Sequence, residues 1–201
     1  MKKLPNELDD PIDNFLSYIS DIFCPIFKSL GFTPNGITAL SLVLGIIAII
    51  FMFMKQYKLA AVFYFIAYFF DVMDGYYARK YKMETPMGGR FDMISDKIKN
   101  YTMMIILFYL FIYHGKYALI LLLLFLIATA SIHLGCQEKY MDIINSSFQK
   151  FDELSSYKKL CPGNNKECVE NTLKVTRFGG GGVVVLIISI IIYNLDYLLT
   201  N

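Results

Sequence analysis

The chain has no tryptophan, two histidines, four cysteines and six prolines among 201 residues. Charged side chains make up only 18% of it, and the formal net charge is +2. So small a net charge excludes the basic footprint of a nucleic-acid-binding protein. No internal repeat, low-complexity tract or heptad pattern is present. A secretory signal is excluded as well, because Lys2 and Lys3 run into Glu7, Asp9 and Asp10 and not into an apolar stretch. What the chain has in excess is apolar surface. Hydrophobic residues reach 56% and mean hydropathy is +0.47. Ordinary soluble domains are about 45–50% apolar, and disordered chains are poorer still. The length suits one domain, 1–201.

The apolar residues are gathered into blocks. A bilayer core about 30 Å thick takes roughly 20 apolar residues as a helix. Five stretches qualify: Ile37–Phe53, Leu59–Phe70 extended through Asp71 to Tyr81, Tyr101–Tyr113 with a polar start near Phe91, Tyr117–Ile132, and Val183–Leu199. Lipid leaves backbone groups no outside partner, so continuous runs of this kind are helices. The fold class predicted is an all-α polytopic membrane bundle with five spans. Before them, residues 11–31 mix Phe15, Leu16, Ile19, Phe23 and Ile26 with Asp13, Ser17, Ser20, Asp21 and Lys28. That pattern predicts an amphipathic helix, lying in the interface or packed on protein, and broken near Pro25. Tyr and Phe cluster near the ends of the blocks, as interfacial anchors do.

Charge then assigns the sides. With the N-terminus in the cytosol, sixteen of the nineteen Lys and Arg fall inside and three (Lys55, Lys58, Lys116) outside. The polar segments around residues 82–90 and 137–176 are therefore expected in the cytosol, with a short helix near Tyr140–Phe151 and a turn at Cys161–Asn165.

Ionisable residues inside membrane helices mark function by default. Asp71 and Asp74 lie three apart at the end of the second block, and Asp92 and Asp96 four apart at the start of the third. Either spacing puts both carboxylates on one helical face. The short connection between the blocks makes the helices antiparallel neighbours, so the four acids converge. Such a cluster needs cations, and hard divalent ions favour carboxylate oxygens. A hard divalent ion such as Mg²⁺, with two ions in the usual phosphoryl-transfer clamp, is the expected cofactor. Small residues Gly75, Ala78, Gly88 and Gly89 admit a bulky phosphate ligand, and Arg79 offers a forked donor.

The string Asp71-Val-Met-Asp74-Gly75-Tyr-Tyr-Ala78-Arg79, eight residues, Gly88-Gly-Arg-Phe-Asp92-Met-Ile-Ser-Asp96 resembles the CDP-alcohol phosphotransferase signature at every fixed position. Thr33-Pro34-Asn35-Gly36-Ile37-Thr38 is similar to the family's opening of the first helix. The resemblance implies a membrane enzyme that cleaves a CDP-linked alcohol with CMP as leaving group. It implies Asp71, Asp74 and Asp92 as ligands of Mg²⁺ or Mn²⁺, and Asp96 as shared ligand and general base. Asn35, Thr38, Gly75, Ala78, Arg79 and Gly88 would line the CDP site. It also implies a homodimer and six membrane helices, against the five counted here. The fixed positions include no Ser, Cys or His, which favours direct displacement.

A chain of about 200 residues resembles the branch that moves a phosphatidyl group from CDP-diacylglycerol to inositol, glycerol phosphate or serine. The alternative is choline or ethanolamine transfer to diacylglycerol, to which Thr85–Asp92 has a local likeness. Lys174 and Arg177 are candidates for an acceptor phosphate, or simply positive-inside charge. An ion or proton transporter would need acids spread through the membrane depth, and these are gathered at one boundary. His133, Cys136, Cys161 and Cys168 form an irregular zinc pattern. A disulfide is not expected on the cytosolic side. Cys24 reads as packing, Gly179–Gly182 as close packing or a hinge, and the Asn145 sequon as silent.

Overall fold

In the computed structural model the described residues are 4–144, 155–163 and 165–200. Their regular structure is entirely helical: α1 Pro11–Ser29, α2 Pro34–Phe53, α3 Tyr57–Lys80, α4 Pro86–Tyr113, α5 Tyr117–Ile144, α6 Ser155–Lys158, α7 Lys166–Thr176, α8 Gly181–Tyr193 and α9 Leu195–Thr200. A 3-10 turn, Arg177–Gly179, follows α7. This is the all-α membrane bundle that the apolar blocks predict. Among the described residues four segments are long and apolar enough to cross a membrane: α2, α3, α5 and Lys166–Tyr193, which joins α7, the turn and α8. The fifth expected span, α4, has 28 residues but carries Arg90, Asp92, Asp96, Lys97 and Lys99 in its first half. The last block is also shorter than predicted, because α8 ends at Tyr193 and α9 restarts at Leu195. The polar segment 137–176 shrinks from both sides. Its first residues continue α5 to Ile144, and its last form α7. The rest of the helix expected over Tyr140–Phe151, and the Asn145 sequon, lie outside the described residues.

Local chemistry explains the helix ends. Thr33-Pro34-Asn35-Gly36 and Thr85-Pro86-Met87-Gly88 repeat one device. In each, the threonine Oγ1 accepts a hydrogen bond from the glycine N–H, at 3.1 Å in α2 and 3.0 Å in α4, and proline takes the first helical position. The C-termini close with paired reverse-turn hydrogen bonds, such as Met83 N–H to the Ala78 carbonyl at 2.8 Å. The left-handed residue such a cap requires is Gly115 after α4 (φ 68°), but Lys82 after α3 (φ 54°).

The chain divides into two compact units, one of Phe15–Ile120 with Val185–Asn201 and one of Lys3–Asn14 with Leu121–Val184. In the first, α2 packs along α3 and against α4. Cys24, Ile37, Met73 and Tyr77 form a buried cluster, ringed by Phe27, Phe32, Phe69 and Phe70. Cys24 is thus the packing residue it was read as. α1 buries Leu16, Ser17, Ser20 and Cys24 and turns Phe15, Tyr18, Ile22 and Ile26 outward. The break expected at Pro25 is absent, since α1 runs unbroken through it. Proline removes the N–H that would bond the carbonyl four residues back. That carbonyl, on Asp21, instead accepts from Lys80 Nζ at 3.2 Å. Asp21 also pairs with Lys80 at 2.7 Å and accepts from the Tyr76 hydroxyl at 2.7 Å.

In the second unit, Leu4, Leu8, Cys136, Tyr140, Met141, Cys161, Val169 and Leu173 form the core. Cys136 and Cys161 are joined by a disulfide, against the expectation of none. The zinc pattern is not assembled. Two of its cysteines are bonded to each other, while His133 contacts Thr176 Oγ1 at 3.1 Å and Gln137 Nε2 at 2.9 Å. Asp10, fully buried, caps two helices at once. Its Oδ1 accepts from Ile12 N–H at 2.7 Å and its Oδ2 from Val183 N–H at 3.0 Å. Burial raises its carboxyl above the usual range, opposed by these backbone bonds. The glycine run is close packing: a Cβ on Gly180 would sit 2.5 Å from Asp10 Oδ2, and one on Gly182 2.5 Å from Asp13 Oδ1.

Candidate active site

The α3–α4 hairpin carries the acids. Asp71 and Asp74 sit one turn apart on α3, and Asp92 and Asp96 one turn apart on α4. The five residues between the helices reverse the chain through the Lys82 cap, so the two acidic turns face each other. One carboxylate oxygen from each of Asp71, Asp74 and Asp92 lies within 4.8 Å of the others. Asp74 is 3% exposed, and its Oδ2 is buried without a hydrogen-bond partner among the described residues. Thr38 of α2 faces the same carboxylate, while its own hydroxyl donates to the Pro34 carbonyl at 3.1 Å. Three acids this close repel unless a cation lies between them, and an all-oxygen set suits a hard divalent ion. The residues present therefore fit such an ion.

Asp96 stands outside that trio. It contacts Asp71, and its Oδ1 is 3.1 Å from Lys99 Nζ. Its side chain is 37% exposed, against 14% for Asp71 and 5% for Lys99. Of these three side chains Asp96 is the most open, although its Oδ1 is itself buried.

Lys99 is the residue that sequence reasoning missed, having counted it as positive-inside charge. Its ammonium is 2.6 Å from Asp71 Oδ1 and donates to Ser41 Oγ at 2.6 Å. Ser41 in turn donates to the Ala67 carbonyl at 2.8 Å. Gly45 makes room for the lysine stem, since a Cβ there would lie 2.6 Å from Lys99 Cγ. A lone glycine inside the apolar α2 was the available signal.

The sequence profile of the family described as CDP-alcohol phosphatidyltransferase matches residues 32–153, more than half of the chain. The chain belongs to the CDP-alcohol phosphatidyltransferase family. No curated protein and no solved structure matches it. As a CDP-alcohol phosphatidyltransferase it is a membrane transferase of phospholipid synthesis that moves a phosphatidyl group. The matched stretch contains both threonine-capped helix starts and all four acids.

The remaining expected residues of this phosphatidyltransferase fall into two groups. Asn35 and Gly88 meet: a Cβ on Gly88 would be 2.9 Å from Asn35 Oδ1 and 3.0 Å from Thr85 Oγ1. The starts of α2 and α4 are thus held side by side, with Asn35 exposed at their mouth. Arg79 folds back over Gly75, where a Cβ would lie 3.2 Å from its guanidinium. Ala78, one turn beyond Asp74, is half-buried. Lys174 and Arg177 belong to the second unit. Lys174 is exposed. Arg177 donates to the Glu7 carbonyl at 2.8 Å and lies over the Phe178 ring.

Proposed function

We propose that this enzyme transfers the phosphatidyl group of CDP-diacylglycerol to a small polar alcohol and releases CMP. The observation that carries the proposal is the Asp71–Asp74–Asp92 trio, with Asp74 buried and Asp71 and Asp92 half-buried, and the half-buried Asp96 beside it. The trio holds Mg²⁺ or Mn²⁺, which when bound neutralises the diphosphate and stabilises the CMP leaving group. Asn35, Thr38, Gly75, Ala78, Arg79 and Gly88 line the CDP site. Arg79 supplies a forked donor to phosphate oxygens, while Gly75 leaves room for its guanidinium and Gly88 for the Asn35 amide. Asp96 accepts the proton of the incoming hydroxyl. The hydroxyl oxygen bonds to the phosphorus that carries diacylglycerol, and the bond from that phosphorus to CMP breaks. Lys174 and Arg177 are the candidates to meet an acceptor phosphate. Within the Thr85–Asp92 likeness to the choline and ethanolamine branch, Thr85 and Gly88 form the α4 cap, a structural role that either donor would share.

The test is CMP release by the purified chain in detergent with Mg²⁺. CDP-diacylglycerol is offered with inositol, glycerol phosphate or serine, beside CDP-choline or CDP-ethanolamine with diacylglycerol. Release with one acceptor is expected, and Asp96→Asn should lower it by about 10²–10⁴-fold, the usual worth of a general base. Release only from CDP-choline or CDP-ethanolamine would reverse the assignment of donor. No release from any pair, with no CDP compound bound, would overturn the enzyme reading for this site.

We infer also that α1 lies in the membrane interface, supported by its outward stripe of Phe15, Tyr18, Ile22 and Ile26. The lysine and arginine asymmetry supports a site on the cytosolic side. The Cys136–Cys161 bridge has the opposite tendency, since disulfides persist in oxidising compartments. Labelling of the half-buried free thiol Cys168 by an impermeant maleimide on sealed membranes decides the side.

A further inference from the structure

We propose that Lys99 is a built-in second cation of the acidic site, so that the site takes one tightly held divalent ion and not a pair. This rests on the metal reading of the Asp71–Asp74–Asp92 trio and assigns a role to a residue outside the signature.

An ammonium has three donors and no acceptor. Lys99 donates to Ser41 Oγ at 2.6 Å and to Asp71 Oδ1 at 2.6 Å, and its ammonium is ion-paired with Asp96 Oδ1 at 3.1 Å. Three oxygens therefore surround it, and the side chain is 5% exposed. A lysine is almost never buried so fully unless it is paired. Positive-inside charge does not account for it, because that charge works from solvated segments near the helix ends.

The surroundings are built around the lysine. Its stem passes Gly45, where any Cβ would fall 2.6 Å from Cγ and 2.7 Å from Cδ. Ser41, one turn before Gly45 on α2, is itself held by the Ala67 carbonyl. The position of the ammonium is thus fixed from α2, α3 and α4.

Two ions in a phosphoryl-transfer clamp lie about 3.5–4 Å apart and share carboxylates. Asp71, Asp74 and Asp92 already offer oxygens to one ion within a 4.8 Å span. The second ion would draw on Asp71 and Asp96, the two acids whose Oδ1 atoms the ammonium engages. A dication lodged there would meet a buried like charge at contact distance. Lys99 thereby supplies one fixed positive charge, ties Asp96 to Asp71, and keeps Asp96 off the metal and available to a hydroxyl.

The test counts Mn²⁺ by electron paramagnetic resonance on the full chain in detergent, at constant pH and without substrate. The wild type is expected to bind one tight Mn²⁺ with the spectrum of an isolated ion. Lys99→Met should take two, with the signature of exchange coupling between neighbouring ions. Gly45→Ala touches no carboxylate but drives the lysine stem away, and it should shift the count in the same direction. Two coupled ions in the wild type would overturn the role of Lys99 while leaving the transferase proposal intact. A folded Lys99→Met chain that still binds one ion would overturn it too. No Mn²⁺ bound to the wild type would overturn the metal reading on which both proposals stand. Should Lys99→Met fail to fold, the wild-type count and Gly45→Ala carry the test.

Discussion

The double cap at Asp10 makes a prediction whose size follows from the geometry. Asp10→Ala removes the acceptor of two helix starts, Ile12 N–H at 2.7 Å and Val183 N–H at 3.0 Å. Each lost cap costs typically about 1 kcal/mol, so the substitution should cost about 2 kcal/mol. Gly180→Ala attacks the same contact from the other side. Its methyl would lie 2.5 Å from Asp10 Oδ2 and 2.8 Å from His133 Cδ2. The carboxylate is short and anchored by backbone donors, so it yields only by giving up a cap. Overpacking costs about 1–3 kcal/mol, and with one cap lost the total is about 3 kcal/mol. In a chain of 201 residues each kcal/mol moves Tm by roughly 2–4 °C. Thermal unfolding in one detergent should therefore fall by about 4–8 °C for Asp10→Ala and about 6–12 °C for Gly180→Ala. The double variant distinguishes this reasoning from two unrelated defects. Once Asp10 is truncated, the Gly180 methyl loses its main obstacle. The double variant should then fall well short of the sum, by about 1–2 kcal/mol of coupling. Strictly additive losses, or a Gly180→Ala chain that melts with the wild type, would refute the argument.

Reduction of Cys136–Cys161, which closes a separation of 25 residues, should cost about 3 kcal/mol by loop-entropy arithmetic; Cys136→Ser, melted with and without reductant, checks it, and only the wild type should respond. Lys82→Gly should raise Tm by a few degrees, because glycine adopts φ 54° without strain; an unchanged or lowered Tm would contradict that account of the α3 cap. Asp21 is held below the usual carboxylate range by the Lys80 ammonium and the Tyr76 hydroxyl. Its folded pKa is depressed, so the tie is present above the usual range and is lost as pH falls through the depressed value. Amide protection along α1, taken relative to the intrinsic exchange rate at each pH, should fall over that acid window, and in Asp21→Asn it should no longer change there.

The acids were legible because their spacing alone puts each pair on one face, and a short hairpin leaves them nowhere else to go. Thr33 opens α2 where the family resemblance places the first helix, but Thr85 was not read as a start: the third block was expected to begin near Phe91, and α4 begins at Pro86. Lys99 was not legible, since its meaning depends on which helix lies across from it. A lysine three residues after Asp96 reads as an i,i+3 partner at most, and its contact with Ser41 spans 58 positions. The glycine run was read as close packing or a hinge; it packs closely, but its partners Asp10 and Asp13 lie some 170 positions away. The break expected at Pro25 failed because Lys80 reaches the carbonyl that proline leaves unpaired. The disulfide was missed for a different reason. Compartment was inferred from charge and used to exclude oxidation, although nothing in the spacing of Cys136 and Cys161 forbade a bridge.

The Asp10 bond to Val183 also sets a clock on biosynthesis. The two residues are 173 positions apart, and ribosomes add about 5–20 residues per second. Asp10 therefore waits roughly 10–35 seconds after its own synthesis before its second partner exists. During that interval a carboxylate destined for full burial must stay hydrated, and the start of α8 has no cap until it is made. Closure of the second unit is consequently a late event. A chain arrested after α5 would hold the whole acidic hairpin and still lack the partner that lets Asp10 leave water.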